Sequence, residues 1–419
     1  MKYSIKDINL AEEGIKKITW ADKDMPVLKS IAEDFKRRKL LKGITIGACL
    51  HVTAETANLM ITLKEGGANV ILCASNPLST SDDVAAALVK YFKIPVFAIK
   101  GESNKKYLSH INSVLDAKPD ITMDDGADLV SMLHKSRKNQ ISRVKGGTEE
   151  TTTGVTRLKS MAKEKKLLFP IIAVNNSTTK YLFDNRYGTG QSTLDGIIRA
   201  TDKLIAGSVF VVAGYGWCGK GLAMRARGMG ANIIITEVDA VKALEALMDG
   251  FRVMPMTKAA SEADFICTVT GNTSVVNAET FKTIKNGCIL SNSGHFDVEI
   301  DLPALQKITK TKKILRDFVE MYKLKNGKTI YVLAGGRLVN LSCAKGHPAE
   351  VMDMSFANQS LAVEYILKNY KNLSKDVYIL PEKLDQKIAE LKLKNFGMKI
   401  DKLTFKQKKY MSEWREGTK

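Results

Sequence analysis

The stretch from Val209 to Glu237 constrains the fold of this chain more than any other. Val209-Phe210-Val211-Val212-Ala213 is an unbroken apolar run, the pattern of a parallel strand buried on both faces. It leads directly into Gly214-Tyr215-Gly216-Trp217-Cys218-Gly219, which fits G-x-G-x-x-G. A helix-compatible segment, Lys220 to Met229, stops at Gly230, and a second strand, Ile233-Ile234-Ile235-Thr236, ends on Glu237. Each piece has a physical role toward a dinucleotide. Gly214 allows the tight turn, Gly216 lets the backbone approach a pyrophosphate, and Gly219 allows close helix–strand packing. The helix N-terminus adds unpaired N–H groups and partial positive charge. Glu237 lies 18 residues beyond Gly219, where a carboxylate binds the ribose hydroxyls of NAD and repels a 2′-phosphate. Strand, turn, helix, strand and acid in this order predict an NAD-binding Rossmann unit.

A chain of 419 residues has room for two to three domains with sizeable cores. Five apolar runs precede the Rossmann strand: Ile44 to Leu50, Val70 to Ala74, Val96 to Ile99, Ile121 to Met123 and Pro170 to Val174. Helix-like segments separate them, and this rhythm predicts a parallel sheet covered on both faces. A second series continues from Val209 through Ile233–Thr236, Phe265–Thr268, Ile289–Ser291 and Ile330–Leu333. The expected fold class is α/β, with two doubly wound parallel-sheet domains, a hinge and a short helical C-terminal tail. The expected substrate domain is residues 1–180 completed by 349–390, the NAD-binding domain 181–348, and the tail 391–419. Gly335-Gly336 and Gly346-His347-Pro348 mark the exit from the second domain and suit a hinge.

No apolar run approaches the ~18 residues that span a bilayer, and the N-terminus has no signal-peptide core. A cytoplasmic protein without a membrane partner is expected. The six cysteines are scattered with no C-x-x-C pair, so they read as reduced, buried thiols rather than disulfides or metal ligands. The net charge of +19 comes mostly from lysines in segments that read as helical surface, including Lys310 to Lys313. They are not interleaved with aromatics, and the reading is a solvated basic surface without a nucleic-acid partner.

Polar residues gather just beyond the N-terminal strands. The groups are Leu50-His51-Val52-Thr53-Ala54-Glu55, Asp124-Asp125-Gly126, Glu149-Glu150-Thr151-Thr152-Thr153-Gly154 and Asn175 to Lys180. Any one of these loops suits turn and N-cap chemistry. Four of them at strand ends, beside a cofactor domain, predict one shared crevice. Together with Lys180-Tyr181-Leu182-Phe183-Asp184-Asn185-Arg186-Tyr187-Gly188, Gly294-His295-Phe296-Asp297, Leu338-Val339-Asn340-Leu341 and Gly346-His347-Pro348, they resemble the S-adenosyl-L-homocysteine hydrolase family. The matches run in family order over nearly the whole chain.

The resemblance implies reversible hydrolysis of S-adenosyl-L-homocysteine to adenosine and L-homocysteine. Tightly bound NAD oxidises the ribose 3′-hydroxyl, the C4′ proton is lost, and the homocysteine thiolate leaves C5′. Water then adds and the ketone is reduced again. On this resemblance Lys180 takes the 3′-hydroxyl proton, and a closed site can lower a lysine pKa toward that task. Asp184 and Asn185 orient Lys180 and the ribose, and Glu150 binds the ribose hydroxyls. His51 and Asp125 handle protons at C4′ and C5′ and the attacking water, with the C4′ base left open among these two and Lys180, and His295 is a further catalytic position flanking the site. Leu50, Thr53, Glu55 and His347 complete the substrate pocket. Thr151, Thr152, Thr153, Asn185, Thr189, Asn272, Gly294, His295 and Asn340 join Gly214, Gly216, Trp217, Cys218, Gly219 and Glu237 around the cofactor. A homotetramer is also implied.

Three departures accompany the resemblance. Thr189 replaces a cysteine common near the nicotinamide, and Lys345 replaces a common methionine at the purine edge. The chain ends at Trp414-Arg415-Glu416-Gly417-Thr418-Lys419 without the lysine- and tyrosine-bearing tail of longer members. That ending leads to an expectation of weaker NAD retention and leaves sharing of the NAD site between subunits open. The competing readings are the same chemistry on S-inosyl-L-homocysteine, a simple NAD-dependent dehydrogenase, and a non-catalytic relative. A 2-hydroxyacid dehydrogenase needs an arginine–histidine pair where this chain offers Lys180 and Asp184.

Overall fold

The computed structural model describes residues 2–415; Met1 and residues 416–419 of the expected tail lie outside them. Two sheets organise the molecule. The first contains β1 (Thr45–Cys49), β2 (Asn69–Cys73), β3 (Val96–Phe97), β4 (Ile121–Asp124), β5 (Gly146–Glu149) and β6 (Ile171–Ala173). The second contains β7 (Val209–Ala213), β8 (Asn232–Thr236), β9 (Arg252–Val253), β10 (Phe265–Thr268), β11 (Ile289–Asn292), β12 (Thr309–Arg316), β13 (Val319–Leu324) and β14 (Thr329–Leu333). The chain then returns to the first sheet, where β15 (Val377–Tyr378) pairs parallel with β6.

The first sheet is parallel throughout, in the order β15-β6-β5-β4-β1-β2-β3. The second runs β12-β13-β14-β11-β10-β7-β8-β9. Its Rossmann part is parallel, while β12-β13-β14 pair antiparallel at one edge. The buried side chains of β1, β2 and β4 pack with those of the long helix Ala349–Asn369, so the segment after the second sheet belongs to the first core.

Five strands escaped the sequence reading, β5, β9, β12, β13 and β15, and β5 and β12 did so for opposite reasons. Gly146-Gly147-Thr148-Glu149 has no apolar run, yet it is a buried central strand. Glycine is required there, because a Cβ on Gly146 would press on Ile366 of the covering helix and one on Gly147 would overlap Thr122. The lysines from Lys310 to Lys313 sit on strand β12 rather than on a helix. Their exposed positions on an edge strand explain the charge, which discourages pairing with other chains.

Candidate active site

Chain order in the first sheet reverses between β1 and β4, and ligand crevices open at such reversals. His51 follows β1, Asp125 follows β4 and Glu150 follows β5, so their side chains meet where that crevice opens. The second sheet reverses between β7 and β10, at the glycine turn. Both carboxyl edges line one cavity of about 1470 Å³. Every catalytic, substrate-binding and cofactor-binding residue expected from the sequence borders it except Gly219. Gly219 acts behind the wall: a Cβ there would overlap the Gly214 carbonyl oxygen, so its role is packing.

Lys180 ends a short helical turn, Thr178–Lys180, and the chain continues as a π-helix, Tyr181–Gly188. The wider turn brings residues five apart face to face. Lys180 Nζ accordingly donates to Asn185 Oδ1 at 2.9 Å and lies 3.3 Å from Asp184 Oδ2. Glu150 Oε1 is 3.5 Å away on the other side. Asp184 is held by Ser355 at 2.6 Å and by His347 Nδ1 at 2.5 Å. Gln359 donates to Glu150 Oε2 at 2.5 Å. Burial favours a neutral lysine, but the Asp184 and Glu150 charges outweigh it and hold the Lys180 pKa above its ordinary value. This corrects the expected lowering. Burial raises the Glu150 pKa, and the Lys180 charge only partly offsets it. For Asp184 burial acts upward too, but the Lys180 and His347 charges prevail and keep it below the usual carboxylate range.

A second group sits opposite. His51 Nε2 is 3.3 Å from Asp125 Oδ2, and His295 Nδ1 is 3.7 Å from Asp125 Oδ1. Ser75, at the end of β2, fixes His51 through Nδ1 at 3.0 Å. Burial lowers the His51 pKa to about 3 and lowers His295 as well. Both imidazoles are therefore neutral, while burial raises Asp125. His295 comes from the loop after β11 and reaches across to the first domain. Gly126 makes this possible, since a Cβ there would overlap His295 Nε2.

The cofactor side fits NAD. Gly214 takes a φ of +102° at the turn, and a Cβ added at Gly216 would meet nothing, pointing into space a pyrophosphate can fill. Glu237 Oε2 accepts from the Tyr215 N–H at 2.7 Å, tying the acid at the end of β8 to the turn. Asn340 is buried, with its Oδ1 unpartnered and its Nδ2 3.3 Å from both Ser192 Oγ and His347 Nε2. A carboxamide donor can pair with that free oxygen. Thr189 lies 3.3 Å from His347 Nε2 and accepts from the Cys218 thiol at 3.5 Å. The Thr151 hydroxyl accepts from Gly154 N–H and donates to Glu149, so it acts first as a helix cap.

At the substrate end, Thr53 caps the helix Ala54–Glu65 and Glu55 occupies its first turn. Burial pushes the Glu55 pKa up, while the Thr53 hydroxyl opposes this. Lys345 is exposed and does not border the cavity, contrary to its expected place at the purine edge. The sequence reading missed Ser75, Ser355 and Gln359. For Ser355 and Gln359 the signal lay in the helix Ala349–Asn369, where Asp353, Ser355, Asn358 and Gln359 are buried polar residues amid apolar ones.

Comparison with known proteins gives the same picture over the whole length. Residues 2–143 match the family model described as S-adenosyl-L-homocysteine hydrolase, and residues 185–346 match its NAD-binding domain. The adenosylhomocysteinase of Aquifex aeolicus is 62% identical over 418 residues, covering 100% of both chains. The chain belongs to the S-adenosyl-L-homocysteine hydrolase family. It is an enzyme of that hydrolase family with an NAD-binding domain. The adenosylhomocysteinase of Saccharolobus solfataricus is 56% identical over 419 residues, 100% of each chain. A relative named S-inosyl-L-homocysteine hydrolase, from Methanocaldococcus jannaschii, is also 56% identical, over 99% of this chain and 100% of its own.

Proposed function

We propose that this hydrolase interconverts S-adenosyl-L-homocysteine with adenosine and L-homocysteine, using the residues described above. The observation that carries this reading is the buried Lys180–Asp184–Glu150 group facing the same cavity as the glycine turn. Bound NAD supplies reversible oxidation at the ribose 3′-carbon. Lys180, protonated at rest, receives the 3′-hydroxyl proton after passing its own to Glu150. Glu150 Oε1 has no other hydrogen-bond partner, and the carboxyl accepts that proton from its ionised form, whose share grows as pH rises toward its raised pKa of about 8. Asp184 stays ionised and fixes the ammonium. Asp125, His51 and His295 form the proton-handling group at C4′ and C5′, where neutral imidazoles are available as bases and acids. Asn340 holds the nicotinamide end, His347 borders the substrate beside Asp184, and Thr151, Thr152, Thr153, Asn272 and Gly294 line the rest of the cofactor space.

The same reading divides the chain at 180/181 and 348/349, with residues 349–390 completing the substrate domain. It places the protein in the cytoplasm as a homotetramer, within the cycle that regenerates S-adenosylmethionine. No helix among the described residues is long and apolar enough to cross a membrane.

Thiol release from S-adenosyl-L-homocysteine and from S-inosyl-L-homocysteine tests the function directly. Adenine offers a donor amine to Glu55, whereas hypoxanthine turns a carbonyl toward that carboxylate. Unpaired acceptors there cost about 1–3 kcal/mol. Lys345 is exposed and does not border the cavity, so no ammonium stands beside Glu55 to compensate. The expected preference for the adenosyl substrate is about ten- to hundred-fold in kcat/KM. Equal or inosine-favouring constants overturn the purine reading, and net NADH release in place of thiol overturns the reaction.

A further inference from the structure

Two carboxyl groups beneath the site have no part in the reading above. Asp124 ends β4 and Glu149 ends β5, where they are register partners on neighbouring strands. Both are fully buried. Adjacent buried carboxyls resist ionising together, so one of the two keeps a proton. The hydrogen bonds show which. Asp124 Oδ1 accepts from the Asp125 N–H at 3.0 Å, and Oδ2 from the Val130 N–H at 2.8 Å. Glu149 Oε1 accepts three times: from the Gly126 N–H at 2.8 Å, the Thr151 N–H at 3.0 Å and the Thr151 hydroxyl at 2.9 Å. Glu149 Oε2 has no partner. Of the four oxygens it is the one free to carry the hydrogen. Burial and then the Asp124 charge push the Glu149 carboxyl well above its ordinary range, in agreement with that placement.

The three bonds to Oε1 join two loops. Gly126 directly follows Asp125, and Thr151 directly follows Glu150. The fold makes room for this arrangement, because a Cβ on Gly154 would overlap the Glu149 carboxyl. We propose that Glu149 is a positioning residue in its neutral acid form, clamping the Asp125–Gly126 loop to the Glu150–Thr151 loop. The clamp sets the spacing between the proton-handling group and the Lys180 group. This rests on the functional reading given above.

The test compares Glu149→Gln, Glu149→Asp and Glu149→Ala with the parent as NAD-loaded enzymes. Glutamine keeps Oε1 and the neutral charge. It is expected to stay within about three-fold of the parent kcat, with a superimposable pH profile of kcat/KM. Alanine loses all three bonds and aspartate falls one methylene short. Both are expected to lose about ten- to hundred-fold in kcat, with smaller changes in KM and in bound NAD. An infrared carbonyl band from a protonated buried carboxyl should be present in the parent and lost in Glu149→Gln. Glutamine as slow as alanine, a missing limb in its pH profile, or an unchanged infrared band overturns the proposal. Alanine at the parent rate overturns it too. Failure of the parent to release thiol instead refutes the functional reading, while the infrared band still decides the protonation of Glu149.

Discussion

The ammonium of Lys180 faces more negative charge than it can neutralise. Asp184 and Glu150 lie 3.3 and 3.5 Å away, and the three side chains are buried together. Their different surroundings split their roles. Asp184 has Ser355 and His347 as donors and stays charged, whereas Glu150 has Gln359 on one oxygen and is the readier to accept a proton. Lys180→Met removes the counter-charge and the group that exchanges the 3′-hydroxyl proton. The variant is expected to retain NAD while adenosine no longer reduces it. Stopped-flow absorbance of reduced nicotinamide is the measurement, and appearance at the parent rate would remove Lys180 from that step. The sequence placed Lys180, Asp184 and Asn185 together, but only the folded charges show that the lysine pKa rises rather than falls.

At the scale of elements, the π-helix Tyr181–Gly188 is the part that periodicity could not reveal. A 3.6-residue repeat and a π turn give similar apolar patterns over eight residues. Its carbonyl edge packs on the Rossmann helix Trp217–Gly228, and Gly221 is the contact point: a Cβ there would overlap the Arg186 carbonyl oxygen. This glycine lies outside the fingerprint formed by Gly214, Gly216 and Gly219. Gly221→Ala must push the two helices apart, at a cost of about 1–3 kcal/mol. The expected result is a lower Tm and a fall in kcat, because the segment that moves carries Asp184 and Asn185. Differential scanning calorimetry and thiol release check this, and an unchanged Tm would show that the helices are not pressed together there.

Across the whole molecule, the cavity lies between two domains and Phe296 helps join them. Its ring packs edge-on against His295, and the Arg157 guanidinium of the first domain lies 5.6 Å from its centre. Enclosure also makes stability depend on pH. His51 is neutral in the folded protein down to about pH 3, whereas an unfolded histidine takes a proton near pH 6.5. Between those values the unfolded chain binds more protons, so this residue's contribution to stability falls as pH falls. Glu150 and Asp124, with raised pKa values, act in the opposite sense as pH falls, so the His51 effect is read as a difference between proteins. Denaturant midpoints of the parent and His51→Asn, compared at about pH 7 and about pH 5, should converge or cross on acidification. Parallel shifts would show that His51 titrates alike in both states. The sequence by itself determined the two β/α series, the glycine turn with Glu237, and the polar loops that line the cavity, because apolar runs and glycines record local backbone needs. Tertiary structure alone decided the rest. It set the glycine strand β5 beneath a helix from the far end of the chain and brought His295 from the second domain to Asp125. It also chose which carboxyl keeps a proton, since distant residues supply the burial, the partners and the neighbouring charges that govern that choice.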